Sequence, residues 1–455
     1  MTGSGAQAVQ PSPSTVRKVA LAAMTGSAIE WYDFFIYLTA AALVFGPLYF
    51  PGGSEVAAVL AAFSTAAVGF VARPIGGILF GHYGDRLGRK PTLVIALLLM
   101  GTATTLVGVL PTYATIGVAA PILLFVLRFV QGLAVGGQWG GAVLLATEYA
   151  PADKRGFYGS FAQAGVPVGL VMGNAVFLLL SALFGEAAFA AWAWRLPFLF
   201  SVVLIAVALF IQLRLEETPV FRQLAERQEE GEESESRSPV IEVITQHPKQ
   251  ILLAAGAFFV VNGGFYVLIT GMLDYGTRVL GISQNVMLGA VLVSAVVEGI
   301  SIVVMSAVSD RVGRRTVFMA GAVLLAVWSF PLFWLVNTGS FVLILIALCL
   351  AQFFQGMMYG PQAALFAEMF SARVRYSGAY IGYQSASVFA GGLAPIIMVC
   401  LLDSTGTSLS ISFYLLAMCA ITFTSVYLVT ETYEDEMAQD QSQEEAEEIG
   451  GAPAT

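Results

Sequence analysis

Gly81-His82-Tyr83-Gly84-Asp85-Arg86-Leu87-Gly88-Arg89-Lys90 lies between two long apolar runs, and Ser309-Asp310-Arg311-Val312-Gly313-Arg314-Arg315 echoes it 225 residues further on. A strongly charged tract that occurs twice in a greasy chain points to two similar halves. The match extends outward from the tracts. Gln131-Gly132 is answered by Gln355-Gly356, Glu148 and Arg155 by Glu368 and Arg375, and Gln163 by Gln384, all at offsets of 220 to 225. Such spacing predicts a parallel duplication.

The chain of 455 residues is 57% hydrophobic and 11% charged, with a mean hydropathy of +0.79. Soluble domains carry roughly 25% charge, so one soluble core does not fit. A spanning helix needs about 20 apolar residues. Runs near 19–48, 56–80, 91–110, 116–147, 157–184, 194–213, 250–279, 285–308, 316–336, 340–366, 376–402 and 408–430 meet that need, six per half. The expected fold is all-α: twelve transmembrane helices in two pseudo-symmetric six-helix bundles. The expected divisions are a cytoplasmic tail (1–16), an N-terminal bundle (17–214), a polar linker (215–249), a C-terminal bundle (250–431) and an acidic tail (432–455). Internal repeats of this kind are a sign of secondary transporters, whose substrate site lies between the halves.

Lys and Arg set the expected orientation. Of 21 basic residues, all but Arg73, Arg128, Arg195 and Arg278 fall at the N-terminus or in the even-numbered connections, which predicts that both termini are cytoplasmic. Met1–Thr15 lacks a charged, apolar, cleavable pattern, so no removable signal is expected. Cys349, Cys400 and Cys419 all fall in spans and read as apolar fillers. With His82 and His247 as the only histidines, no catalytic, metal or cofactor constellation emerges. Nucleic acid is not an expected partner.

Charge inside hydrocarbon costs at least about 2.5–3.5 kcal/mol at a helix centre, so intramembrane charges are candidates for function. Glu30, Asp33 and Tyr37 share one face of span one. Arg128, Gln131, Val135 and Gln138 form a stripe on span four. Both stripes are expected to face a central cavity. Arg128 suits a substrate carboxylate, or an acid in span one, through its planar fork. Glu30 and Asp33 are the proton-carrier candidates; a fixed ion pair between the helices is the structural alternative. Arg73 either faces the cavity or snorkels to the interface. Glu298 lies about 18 Å along its helix from Asp310, either as a second proton site or as a partner within its bundle. Gln163, Asn262, Tyr266, Gln355, Tyr359, Tyr383 and Gln384 offer ligand hydrogen bonds or interhelical ones. Trp31, Tyr32 and Trp139 can wall an apolar or cationic moiety.

The first tract fits Gly-x-x-x-Asp-Arg-x-Gly-Arg-Arg/Lys in full, and the second keeps Asp310-Arg311-x-Gly313-Arg314-Arg315 but has Ser306 at the leading Gly. Together with Arg128-Phe129-Val130-Gln131-Gly132, these resemble the major facilitator superfamily. Ile29-Glu30-Trp31-Tyr32-Asp33-Phe34, Arg73-Pro74, Arg155-Gly156-Phe157-Tyr158-Gly159-Ser160 and Glu217-Thr218-Pro219 narrow the resemblance to its metabolite:proton symporter family of bacterial inner membranes. The resemblance implies proton-coupled import of a small organic acid by alternating access, in the inner membrane, by a monomer. The alternatives are uptake of a zwitterionic osmolyte, which lacks support from a coiled-coil tail, and uncoupled facilitation. Gln138 motivates the last, because the family usually carries Glu there. Latches are implied as well: Asp85, Arg86 and Arg89 with Glu148 and Arg155, and Asp310, Arg311 and Arg314 with Glu368 and Arg375.

Overall fold

The computed structural model describes residues 13–87, 89–136, 154–214, 245–370 and 375–429. Among them there is helix and no strand, as expected of a chain whose backbone must satisfy itself in lipid. Among the described residues eleven helices are long and apolar enough to span a membrane, and Val94–Val109 is a shorter apolar helix.

In the first bundle these are α1 (Pro13–Ala40), α2 (Glu55–Leu87), α3 (Arg89–Val109), α4 (Ala119–Gly136), α5 (Arg155–Phe184) and α6 (Leu196–Arg214). In the second they are α7 (Pro248–Tyr266), α8 (Gln284–Val312), α9 (Arg314–Val336), α10 (Phe341–Glu368), α11 (Arg375–Ala386) and α12 (Leu409–Leu428). Three spans continue through π turns: α1 at Ala41–Phe45, α7 at Val267–Gly271 and again at Tyr275–Val279, and α11 at Ser387–Gly392. All three lie along the bundle boundary, and π turns are often found at functional sites. The outer faces show Leu252, Ile78, Leu183, Val327 and Trp334 at 67–73% exposure, a surface suited to lipid and costly in water.

The charged tracts are not loops. Helix α2 runs on to Leu87 and α3 begins at Arg89; in the second half only Gly313 separates α8 from α9. Gly313 has φ +93°, a conformation open to glycine and strained for other residues. Asp310 and Arg314 therefore meet across the break at i, i+4 spacing.

The bundles touch at both ends. At the tract end α5 packs on α8. At the other end Met272–Asp274 packs on Ala41–Phe45, and Ala394–Thr405 packs on α2. Small residues let α1 and α5 close up: a Cβ on Gly169 would stand 2.6 Å from the Ala28 carbonyl oxygen.

Candidate functional site

Arg128, on α4, is 1% exposed. Its guanidinium carbon lies 4.4 Å from the Phe34 ring centroid and 4.2 Å from that of Tyr37. Its Nη1 donates to Gln131 Oε1 at 3.2 Å, and Gln131 Nε2 donates to Thr104 Oγ1 at 2.8 Å. Tyr37 is fixed in turn by donating to Thr65 Oγ1 at 2.8 Å. Arg73, on α2, is 2% exposed, so the snorkelling alternative is excluded. It lies over Phe34 and Phe70, each at 4.5 Å, and Trp31 at 5.4 Å. Sharing Phe34 places the two guanidinium carbons within about 9 Å of each other.

Nε and Nη2 of both arginines have no hydrogen-bond partner among the described residues. Each cation–π contact contributes about 2 kcal/mol when desolvated, whereas burying an ion costs several kcal/mol. The rings therefore offset much of the cost without supplying a counter-charge, and donors on both cations remain free for an anion. A pair between Arg128 and a span-one acid, the structural alternative, is not formed among the described residues. Asp33 instead accepts from Ser201 Oγ at 2.5 Å, while aromatic faces take up the guanidinium. Asp33, Phe34, Arg73, Arg128 and Gln131 line one cavity. Glu30 is half-buried and lines neither this cavity nor the next.

A second cavity opens at the bundle boundary, lined by Trp31 of the first bundle and by Phe258, Asn262, Phe265, Tyr266, Glu298, Tyr359 and Tyr383 of the second. Glu298 is 0% exposed, and neither carboxyl oxygen has a hydrogen-bond partner among the described residues. Tyr383 stacks on Phe258 with centroids 4.1 Å apart. Asn262 Nδ2 donates to Ser387 Oγ at 2.7 Å, leaving Oδ1 unused. The cavities are neighbours: Tyr266 packs edge-on against Phe34 and Phe70, which hold the arginines. Each leaves room for about one water molecule, so the centre is closed and contracted.

Three glutamines stand apart from both walls. Gln163 Nε2 donates to the Tyr359 carbonyl at 3.4 Å, across the bundle boundary. Gln355 Nε2 donates to the carbonyls of Val260 and Val261. Gln384 is buried without lining either cavity. The amides of Gln163 and Gln355 thus tie neighbouring helices together. Gln138, Trp139 and Glu148 lie outside the described residues. Sequence reading left Arg73 undecided and passed over the rings of Phe34 and Phe70; the available signal was the aromatic density around Asp33.

At the tract end, Asp310 Oδ1 and Oδ2 accept the backbone N–H groups of Gly156 and Phe157, both at 2.9 Å. A carboxylate of one bundle thus caps the positive end of α5 in the other. Arg314 holds that carboxylate at 2.8 Å and Glu368 at 2.7 Å. Arg155 is half-buried beside this cluster. Arg311, expected in the latch, is exposed, because it points away from the face that Asp310 and Arg314 share. The side chains of Asp85, Arg86, Arg89 and Arg375 lie outside the described residues. Tyr380 Oη reaches the carbonyls of Gly136 (2.9 Å) and Arg73 (3.1 Å), a second contact across the boundary. A Cβ at Gly156 would stand 2.6 Å from Asp310 Oδ1. We therefore expect Gly156→Ala to loosen the closed tract end: spin labels at positions 154 and 311 should show a longer, broader distance distribution than in the parent. An unchanged distribution would contradict a latch at this contact.

A family model described as Major Facilitator Superfamily matches residues 23–392 and 292–450. The chain is 39% identical over 423 residues to the inner membrane metabolite transport protein YhjE of Escherichia coli, covering 91% of this chain and 94% of that one. It is equally 39% identical to the Escherichia coli shikimate transporter, with coverages of 92% and 96%. The proline/betaine transporter of that organism is 34% identical, with coverages of 92% and 84%. Among solved structures, the proton:xylose symporter XylE bound to 6-bromo-6-deoxy-D-glucose superposes with a TM-score of 0.72 at 18% identity, covering 94% of this chain and 99% of that one.

Proposed function

The chain belongs to the major facilitator superfamily, and on that premise we propose that this metabolite transporter imports a small carboxylate-bearing compound together with protons. The observation that carries this reading is the pair of buried arginines with unused donors beside Asp33. An arginine fork matches a carboxylate in two parallel hydrogen bonds. A cation already stripped of water gives up little hydration when the anion arrives, so more of the interaction is kept as affinity.

Asp33 is the proposed proton carrier. It shares the cavity with Arg73 and Arg128, so arrival of a substrate anion there and protonation of Asp33 can be linked through the charge they share. The latch of Asp310 and Arg314 on α5 is the proposed tract-side gate. The excess of Lys and Arg on that side supports a cytoplasmic orientation for it, and the named relative YhjE supports the inner membrane as its place. The two ends would then open in turn around the central pocket.

The reading is tested with the purified protein in proteoliposomes and a panel of small acids, among them shikimate, succinate and benzoate. Uptake of at least one should rise with an inward proton gradient and alkalinise the outer medium in step. Uptake that ignores the gradient for every acid taken up would remove proton coupling. Binding only of uncharged compounds would remove the carboxylate.

A further inference from the structure

No ion pair joins Arg128 to Asp33 among the described residues, yet a run of side-chain hydrogen bonds connects them. Arginine can only donate, so Arg128 Nη1 fixes the Gln131 amide with Oε1 toward itself, at 3.2 Å, and Nε2 toward Thr104 Oγ1, at 2.8 Å. Thr104, on α3, then has one proton to give and two acceptors beside it: the Met100 carbonyl at 2.9 Å and the Asp33 carboxylate. Ser201 Oγ, on α6, holds Asp33 from its other side. All five side chains are buried, where hydrogen bonds in a chain polarise one another. With Asp33 ionised, every donor in the chain points from Arg128 toward Asp33. With Asp33 protonated, the acid donates to Thr104 Oγ1, and Thr104 turns its own proton to Met100. Thr104 is satisfied in both arrangements, as a two-position switch requires.

We propose that Thr104 and Gln131 are the relay through which substrate arrival at Arg128 and protonation of Asp33 favour each other. The assignment rests on the proton-coupled carboxylate reading above and supplies its coupling path. A substrate carboxylate that draws Arg128 Nη1 to itself takes that donor from Gln131 Oε1. The chain toward Asp33 then loses its charged source, the carboxylate is held less well, and a proton from the aqueous side neutralises it. Linkage makes the effect mutual: a protonated Asp33 no longer draws the chain, which releases Arg128 to the anion. No proton travels along the relay, since each nitrogen keeps its hydrogens and only the Thr104 hydroxyl rotates. Other ionisable groups near the relay among the described residues are Tyr32 and Tyr37 on α1, Arg73 on α2 and Tyr266 on α7. Phenols and guanidinium groups generally titrate well above neutral pH. Glu30 lines neither cavity, and the middle stretches of α3, α5 and α6 carry no ionisable side chain. Asp33 is therefore the member of this cluster suited to exchange a proton.

The test counts protons. Calorimetry on the full-length protein in detergent, in two buffers of unlike ionisation enthalpy, gives the protons taken up per acid bound. Shikimate, succinate and benzoate are the probes, between about pH 6 and 9. A tenfold mutual effect on affinity corresponds to about half a proton at the optimum pH, and the parent should reach at least that with one acid. Thr104→Val, which keeps the shape, should take up less than about half the parent count, and so should Gln131→Met, which breaks the other link. Thr104→Ser should recover the parent count. Size-exclusion profile and thermal unfolding check the fold of each variant. A merely structural Thr104 would change affinity but not the number of protons per bound acid. The parent count in both Thr104→Val and Gln131→Met, or a Thr104→Ser count as low as that of Thr104→Val, overturns the relay and leaves the proton-coupled reading standing. Asp33→Asn should take up none. The parent count in that variant, or no uptake by the parent with any acid it binds, overturns the proton-coupled reading itself, and the relay falls with it.

Discussion

Arg128→Gln should weaken binding of the transported compound by at least about 30-fold while leaving the empty protein about as stable as before. The two halves of that expectation have one cause. Arg128 is buried with two donor nitrogens unused among the described residues, and it is held by ring faces rather than by an acid. Truncating one partner of a buried, hydrogen-bonded charge pair costs about 2–5 kcal/mol of binding, which is roughly 30-fold to several-thousand-fold in affinity. In the empty protein the same change removes an incompletely compensated buried charge, and such replacements are often neutral or stabilising. Calorimetry and thermal unfolding on the same preparation read both. An unfolded variant would instead assign Arg128 to holding the bundle together, and unchanged affinity would remove it from the site.

Asp33→Asn should separate movement of the substrate from its accumulation. Asparagine can replace aspartate in the hydrogen bond with Ser201 but cannot bind and release a proton. Exchange of labelled for unlabelled substrate should therefore continue. Uphill accumulation driven by a proton gradient of one pH unit, roughly tenfold for a single proton, should fall to none. Parent uptake should depend on external pH, and uptake by the variant should not. Should the variant still concentrate substrate, the proton must travel elsewhere, and Glu30, which lines neither cavity, becomes the next position to change.

Much of this architecture was legible in the chain itself. The apolar runs are long enough to span, their number per half follows from the repeated tracts, and helix is the form that a backbone in lipid can adopt within a single segment. The resemblance marked Asp310 as a latch residue, but its grip on the backbone N–H groups at the start of α5 depends on packing between the bundles. The side-chain arrangement was less legible. Periodicity placed Asp33 and Arg128 on faces toward the centre, but it could not say that Arg128 would rest on Phe34 and Tyr37 instead of pairing with an acid. That outcome depends on packing between spans one, two and four, which no single-helix pattern contains. Arg73 shows the same gap: its position near the end of a run fits either a snorkelling or a buried arginine, and only the converging rings of Trp31, Phe34 and Phe70 decide it. For Gln163 and Gln355 the sequence left ligand contact and interhelical bonding open, and only the packing shows their donors on backbone carbonyls that the neighbouring helices present.

The two-ended closure around Arg128 and Glu298 is open to a direct trial. With Cys349, Cys400 and Cys419 replaced, cysteines are introduced at exposed positions 154 and 311, which flank the contact between α5 and α8. They are then joined by a short, reducible bis-maleimide, and flux is followed in proteoliposomes before and after reduction. Tethered bundles should carry flux no faster than protein-free vesicles, with transport restored when the tether is cut. Flux that proceeds at the parent rate through a tethered protein would contradict a pocket that must open to each side in turn.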